Sequence, residues 1–157
     1  MRFQRENGGF LSFNKSAVET LLKYRQFKFS DKEAGGMLLG RLINDCEDII
    51  VDEVTTPFPS DKSSRFSFFR GKKEAQKLIE EKWYKSKSTQ IYLGEWHTHP
   101  EDDPTPSESI DIKNWHKITD RAVFEQESLF FLIVGRKKTR IWELNKKTKK
   151  MAELLSI

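Results

Sequence analysis

Cysteine is almost missing from this chain: its 157 residues include one, Cys46. A lone thiol cannot close an intramolecular disulfide, so packing must hold the fold together, and such usage fits a reducing cytoplasm. Cys46 sits in the polar stretch Asn44-Asp45-Cys46-Glu47 with no base beside it in sequence, which argues against a nucleophile. Long apolar runs are also lacking, and none approaches the ~20 residues of a membrane-spanning helix. Met1 to Gly9 carries Arg2, Arg5 and Glu6 where a signal peptide would have its apolar segment, so the expected location is cytoplasmic, away from any membrane. Neither sign of charge dominates. Lys and Arg number 28 against 24 Asp and Glu, a net charge of +4 that suits solubility or an acidic partner. The lysines gather at turns such as Arg136-Lys137-Lys138 without interleaved aromatics, which argues against a nucleic-acid surface. No internal repeat or low-complexity segment interrupts the chain.

The chain does have bulk. Twelve Phe and four Trp offset a modest 36% apolar content. The length suits one domain spanning residues 1–157 with a single core. Phe10 to Phe13 alternates like an opening strand. Asn14 or Ser16 is placed to cap a helix reaching about Gln26, with Val18, Leu21 and Leu22 on one face. Met37 to Leu42 and Asp48 to Thr56 flank a polar turn, as in an antiparallel hairpin. Pro57 to Ser64 reads as a loop and Phe66 to Phe69 as a short strand. Gly71 to Lys85 predicts an amphipathic helix burying Ala75, Leu78, Ile79 and Trp83. Arg65 and Arg70 flank the short strand, available to a substrate or simply solvated. After a helix to about Ile118, the apolar run Phe130 to Val134 predicts a buried strand. Thr139 to Leu144 alternates as a half-buried one, and Met151 to Ile157 is a final strand or short helix. This order predicts an α/β fold, a mixed β-sheet flanked by helices.

The informative stretch is Gly94-Glu95-Trp96-His97-Thr98-His99-Pro100, followed by Pro106-Ser107 and Asp111. On a strand, residues two apart share a face, so His97 and His99 can reach one ion. Asp111 lies where a loop entering a helix can return a carboxylate. Two imidazoles and a carboxylate, with one position open to water, form the ligand set of a hydrolytic zinc site. Glu95 shares the histidines' face and can either orient one of them or lie beyond the site. Glu101, Asp102 and Asp103 read as solvent-facing loop acids. His116, five residues past Asp111, points elsewhere on the helix.

These residues, with Glu33 in Glu33-Ala34-Gly35-Gly36-Met37-Leu38-Leu39-Gly40-Arg41, resemble the JAMM/MPN metalloprotease family over roughly residues 33–135. The phrase around His97 and His99, with Trp115 behind it, is most similar to small standalone bacterial members. Some of those are deconjugating proteases of CBASS anti-phage operons. The resemblance implies an MPN fold and one Zn2+ per chain on His97, His99 and Asp111. It implies Glu33 as general acid/base and Ser107 as a donor to the oxyanion. It further implies a deconjugating isopeptidase that cuts after the C-terminal tail of a ubiquitin-like or CD-NTase-like protein conjugate.

The sequence departs from the family at one place. Eleven residues, Pro100 to Ile110, separate His99 from Asp111, one more than usual, and the serine lies one position farther from the aspartate. Asp111 remains the ligand to expect, with Glu108 as the substitute, and Ser107 and Ser109 both remain as hydroxyl donors. Rival readings are an inactive MPN scaffold that only binds partners, and a metalloamidase acting on a small conjugate. Oligomeric state is not written in the sequence.

Overall fold

The computed structural model describes residues 1–157. The chain forms β1 (Arg2–Gln4), β2 (Phe10–Phe13), α1 (Lys15–Lys23), β3 (Gly35–Leu42), β4 (Ile49–Val54), β5 (Lys62–Ser64) and β6 (Ser67–Phe69). It continues through α2 (Lys72–Lys85), β7 (Ile91–Thr98), a π-helical turn (Glu108–Ile112), α3 (Lys113–Arg121), β8 (Ser128–Val134), β9 (Thr139–Asn145), β10 (Met151–Glu153) and β11 (Leu155–Ser156). Nine strands make one mixed sheet in the order β10-β9-β8-β7-β3-β4-β2-β1-β11, while β5 and β6 pair separately. Pairs β2–β4 and β7–β8 are parallel and the rest antiparallel. The outermost strands, β10 and β11, are separated by Leu154 alone, so the sheet rolls until its two ends nearly meet. Arg5 reaches across to Glu143 at 2.8 Å and helps tie that closure.

The protein is more sheet-rich than a sheet flanked by helices. Three helices serve eleven strands, because the rolled sheet buries much of its apolar surface against itself. Strand β8 shows why its sequence is continuously apolar. Phe130, Leu132 and Val134 enter the larger core with Trp96, Leu38 and α1's Leu21, while Leu129, Phe131 and Ile133 face Trp115 of α3. Both faces are dry, so alternation gives way to an unbroken run. Each such side chain contributes roughly 1.5–3 kcal/mol on burial. A third cluster joins Met37 and Leu39 of β3 to Ala75 of α2. Trp83 departs from its expected core position and is 47% exposed, since α2 meets the sheet chiefly through Ala75. Part of the expected loop before residue 64 forms β5, and the C-terminal segment forms two strands. No helix is long and apolar enough to cross a membrane.

Strand β7 carries one irregularity. Gly94 has φ +145, and a Cβ there would lie 1.9 Å from the Phe130 carbonyl oxygen. Register against β3 shifts between Leu38 and Leu39. This bulge puts Tyr92 and Glu95, three residues apart, on one face, where the Tyr92 hydroxyl donates to Glu95 at 3.2 Å.

Candidate metal centre and active site

The site forms where the start of β3 meets the end of β7. In that antiparallel ladder Gly35 pairs with His97. The pairing extends one step further, since the Thr98 N–H donates to the Ala34 carbonyl at 2.8 Å. Two residues before Gly35 therefore lie opposite two residues after His97, and Glu33 faces His99 on the same side of the sheet. Glu33 Oε1 is 3.8 Å from His99 Nε2. Glu33 is buried at 4% exposure, so it is not a solvated acid at a strand end.

The histidines converge as their spacing predicts. Their Nε2 atoms lie 3.0 Å apart. Asp111 completes a triangle, with Oδ1 3.1 Å from His97 Nε2 and Oδ2 3.3 Å from His99 Nε2. A tetrahedral ion with ligands at ~2.0–2.1 Å has ligand–ligand edges of about 3.3–3.4 Å. The three edges fall close to that length, so the donor set fits a small divalent cation. Glu33 also lies near enough to the imidazoles to count as a possible ligand. Its greater distance instead suits a group one water molecule away from the ion.

The extra residue before Asp111 is absorbed locally. The Ile112 N–H donates to the Ser107 carbonyl at 3.0 Å, an i to i+5 bond, and residues 108–112 form a π turn before α3 begins. A π turn is what a one-residue insertion makes of an α-helical turn. It keeps both Ser107 and Asp111 at the site. The Ser107 N–H and hydroxyl both donate to Asp111 Oδ2, at 2.7 and 2.9 Å, and the Asp111 N–H returns a bond to Ser107 Oγ at 3.1 Å. Ser109 and Glu108 are exposed and take no part. Ser107 is the cap that the sequence suggested, and its proton is directed at Asp111. Donating to an oxyanion would require the hydroxyl to turn.

Electrostatics follow the burial. Desolvation pushes the Glu33 carboxyl up to about 8, against the pull of His99 and with the help of Asp111 and Glu101. Burial also raises Asp111, but hydrogen bonds from His97, His99 and the Ser107 backbone outweigh it and hold this carboxyl well below the usual range. For His99, burial lowers the pKa, yet the neighbouring carboxylates, Asp111 first, leave it raised overall. A bound dication would replace the proton in these roles.

One supporting residue was invisible in the sequence. Gln26 is 1% exposed; its Oε1 accepts from the Thr98 hydroxyl at 2.8 Å, and its amide donates to the Asp31 and Arg65 carbonyls. It thereby pins the loop before Glu33 to the residue between the two histidines. A buried amide after a helix end carries no distinguishing pattern. The Trp115 ring stands edge-on to His97 at 6.3 Å and stacks on Phe131 at 5.0 Å. Glu101 faces solvent as expected, with its side chain 49% exposed, and it also borders the site. Its carboxylate is 3.6 Å from His99 Nδ1, which favours the tautomer that leaves Nε2 free. Asp102 and Asp103 also face solvent as expected and pair there with Arg136, Lys137 and Lys138. Glu95 orients no histidine: it receives Arg70 at 2.9 Å. Arg70 is therefore neither a solvated side chain nor free, and Arg65 caps the Lys28 carbonyl.

Residues 15–145 match the family described as prokaryotic homologs of the JAB domain. A Pseudomonas aeruginosa protein named CD-NTase/cGAS isopeptidase is 36% identical over 131 residues, covering 83% of this chain and 80% of that protein. Proteins of the same name from Vibrio cholerae and Escherichia coli are 37% and 36% identical, covering 76% and 84% of this chain and 72% and 78% of their own lengths. A solution structure of a Desulfitobacterium hafniense protein superposes with a TM-score of 0.60 at 22% identity, over 91% of this chain and 88% of that one, and shows the shared fold. The resemblance read from Glu33, His97, His99 and Asp111 holds, and the chain belongs to the prokaryotic JAB-domain family.

Proposed function

We propose that this protein is a zinc-dependent isopeptidase that releases a CD-NTase from a protein joined to its C-terminal tail. The observation that carries the reading is the triangle of His97 Nε2, His99 Nε2 and Asp111 carboxylate, with edges of 3.0 to 3.3 Å, beside the buried Glu33. Relatives named CD-NTase/cGAS isopeptidase support the substrate class, and with it a role in antiviral defence. His97, His99 and Asp111 would hold one zinc, which supplies Lewis acidity toward a carbonyl oxygen and toward water.

The chain's own groups do the rest. Glu33 would take a proton from the attacking water as its oxygen joins the carbonyl carbon. It then gives that proton to the departing lysine or backbone amine as the C–N bond breaks. Ser107 holds Asp111 in position, and His97 and His99, helped by the Ser107 backbone, keep that carboxyl ionised. Gln26 and Trp115 keep the carboxylate and the imidazole in place. The tail would run extended toward the β5–β6 hairpin, whose Ser64 carbonyl already accepts from the Glu33 N–H at 2.7 Å, with main-chain bonding to a strand edge. An inactive scaffold has no use for this complete set.

The test uses a CD-NTase carrying a protein fused after its last residue, and the same enzyme linked to a lysine side chain. Hydrolysis at that bond, abolished by a chelator and restored by zinc, is expected. Cleavage that survives chelation, or cleavage only of small amide conjugates, overturns the reading.

A further inference from the structure

The chain's modest positive charge is not spread evenly. A groove of about 810 Å³ between α2 and α3 is lined by Arg70, Lys72, Lys73, Lys77, Lys117 and Arg121. Glu80 is the one acid on its walls. Arg70 is neutralised by Glu95, and Lys77 approaches Glu81 at 4.0 Å. Lys72, Lys73, Lys117 and Arg121 are exposed and make no ion pair. The basic turn at residues 136–138 is, by contrast, paired with Asp102 and Asp103. Four unpaired cations facing one cleft give it a positive potential that favours an anionic occupant.

The groove is joined to the site. Helix α3 follows directly on the turn that holds Asp111, and Glu95, bonded to the groove residues Arg70 and Tyr92, shares a sheet face with His97. At ~1.5 Å per helical residue, Lys117 and Arg121 lie about 9 and 15 Å along from Asp111. An extended chain covers that distance in roughly three to five residues. Ile79, Tyr92 and Val123 also line a second, more apolar groove, where Trp83 is 47% exposed and Val123 fully so.

We infer that the α2–α3 groove binds an acidic segment of the substrate protein, lying about three to five residues from the scissile bond and followed by a bulky apolar residue that meets Trp83. The attachment of that segment to a scissile bond rests on the isopeptidase reading; the binding does not. Charge complementarity selects an anionic occupant, and the lack of exposed aromatics among the cations favours an acidic peptide over nucleic acid: Tyr92 is held by Glu95, and Trp83 lines the adjoining groove.

The test is fluorescence anisotropy with a labelled peptide whose glutamate run ends in leucine, its glutamine counterpart, and oligo-dT. All are measured with and without chelator. The glutamate peptide should bind in either condition, weaken as salt rises, and exceed the glutamine peptide by about tenfold, as expected when several charges are lost. Lys117→Glu with Arg121→Glu should cost about tenfold or more in affinity, and Lys72→Ser with Lys73→Ser should move the same way. Both double variants should cleave a short substrate without acidic residues at the wild-type rate. Equal binding of the two peptides, wild-type affinity in both double variants, or tighter binding of oligo-dT would overturn the inference. If no substrate is hydrolysed but the glutamate peptide still binds selectively, the groove stands and the isopeptidase reading fails.

Discussion

Replacing Ser107 with Ala separates two roles that one hydroxyl could play. In the structure this hydroxyl donates to Asp111 Oδ2 at 2.9 Å and accepts from the Asp111 N–H at 3.1 Å. Loss of a hydrogen bond to a charged carboxylate costs about 1.5–3 kcal/mol. The lost cap adds ~1 kcal/mol. The Ser107 N–H bond to the same oxygen survives the change, so Asp111 should stay near the site but less firmly held. Removing a partner that orients a metal ligand typically weakens metal affinity by about 10- to 100-fold. The expectation is therefore a Ser107→Ala protein with zinc affinity reduced by that factor in competition against a chelator. Its hydrolysis of the fusion substrate should recover to within a few-fold of wild type at saturating zinc. An oxyanion donor would behave differently, with the rate staying ~10² to 10³ lower even when every site is filled. Unchanged zinc affinity together with that persistent loss would refute the orienting role drawn from the hydrogen bonds.

Asp111→Ala should abolish stoichiometric zinc by elemental analysis, because it removes one corner of the ligand triangle. Glu33→Gln should keep its zinc yet lose at least about 10² in hydrolytic rate, and loss of the metal instead would make Glu33 a ligand. Gln26→Leu leaves the Thr98 hydroxyl and two carbonyls without their partner and should lower stability by roughly 2–4 kcal/mol in urea unfolding. A loss below ~1 kcal/mol would show that water replaces the amide. Gly94→Ala forces a Cβ against the Phe130 carbonyl at a positive φ and should yield little folded protein. A normally folded Gly94→Ala protein would show that the bulge can relax.

The residues of the site were legible in the sequence because strand geometry and ligand chemistry are local. Two histidines at alternate positions share a face whatever else the chain does, and an apolar run such as Phe130 to Val134 announces a strand dry on both sides. Resemblance to a known pattern then drew in Glu33, 64 residues before His97. What tertiary structure decided is everything that depends on pairing between distant segments. The β3–β7 register sets Glu33 opposite His99, and a π turn returns Asp111 to the triangle despite an added residue. Composition could not show that the sheet rolls until β10 and β11 nearly meet, because strand order is not encoded in any one strand. Nor could it show that Asp102 and Asp103 neutralise one basic turn while Lys72, Lys73, Lys117 and Arg121 are left to face a groove. The sequence states which charges exist, and only the fold decides which of them meet, because Coulomb energy depends on distance through space and not along the chain.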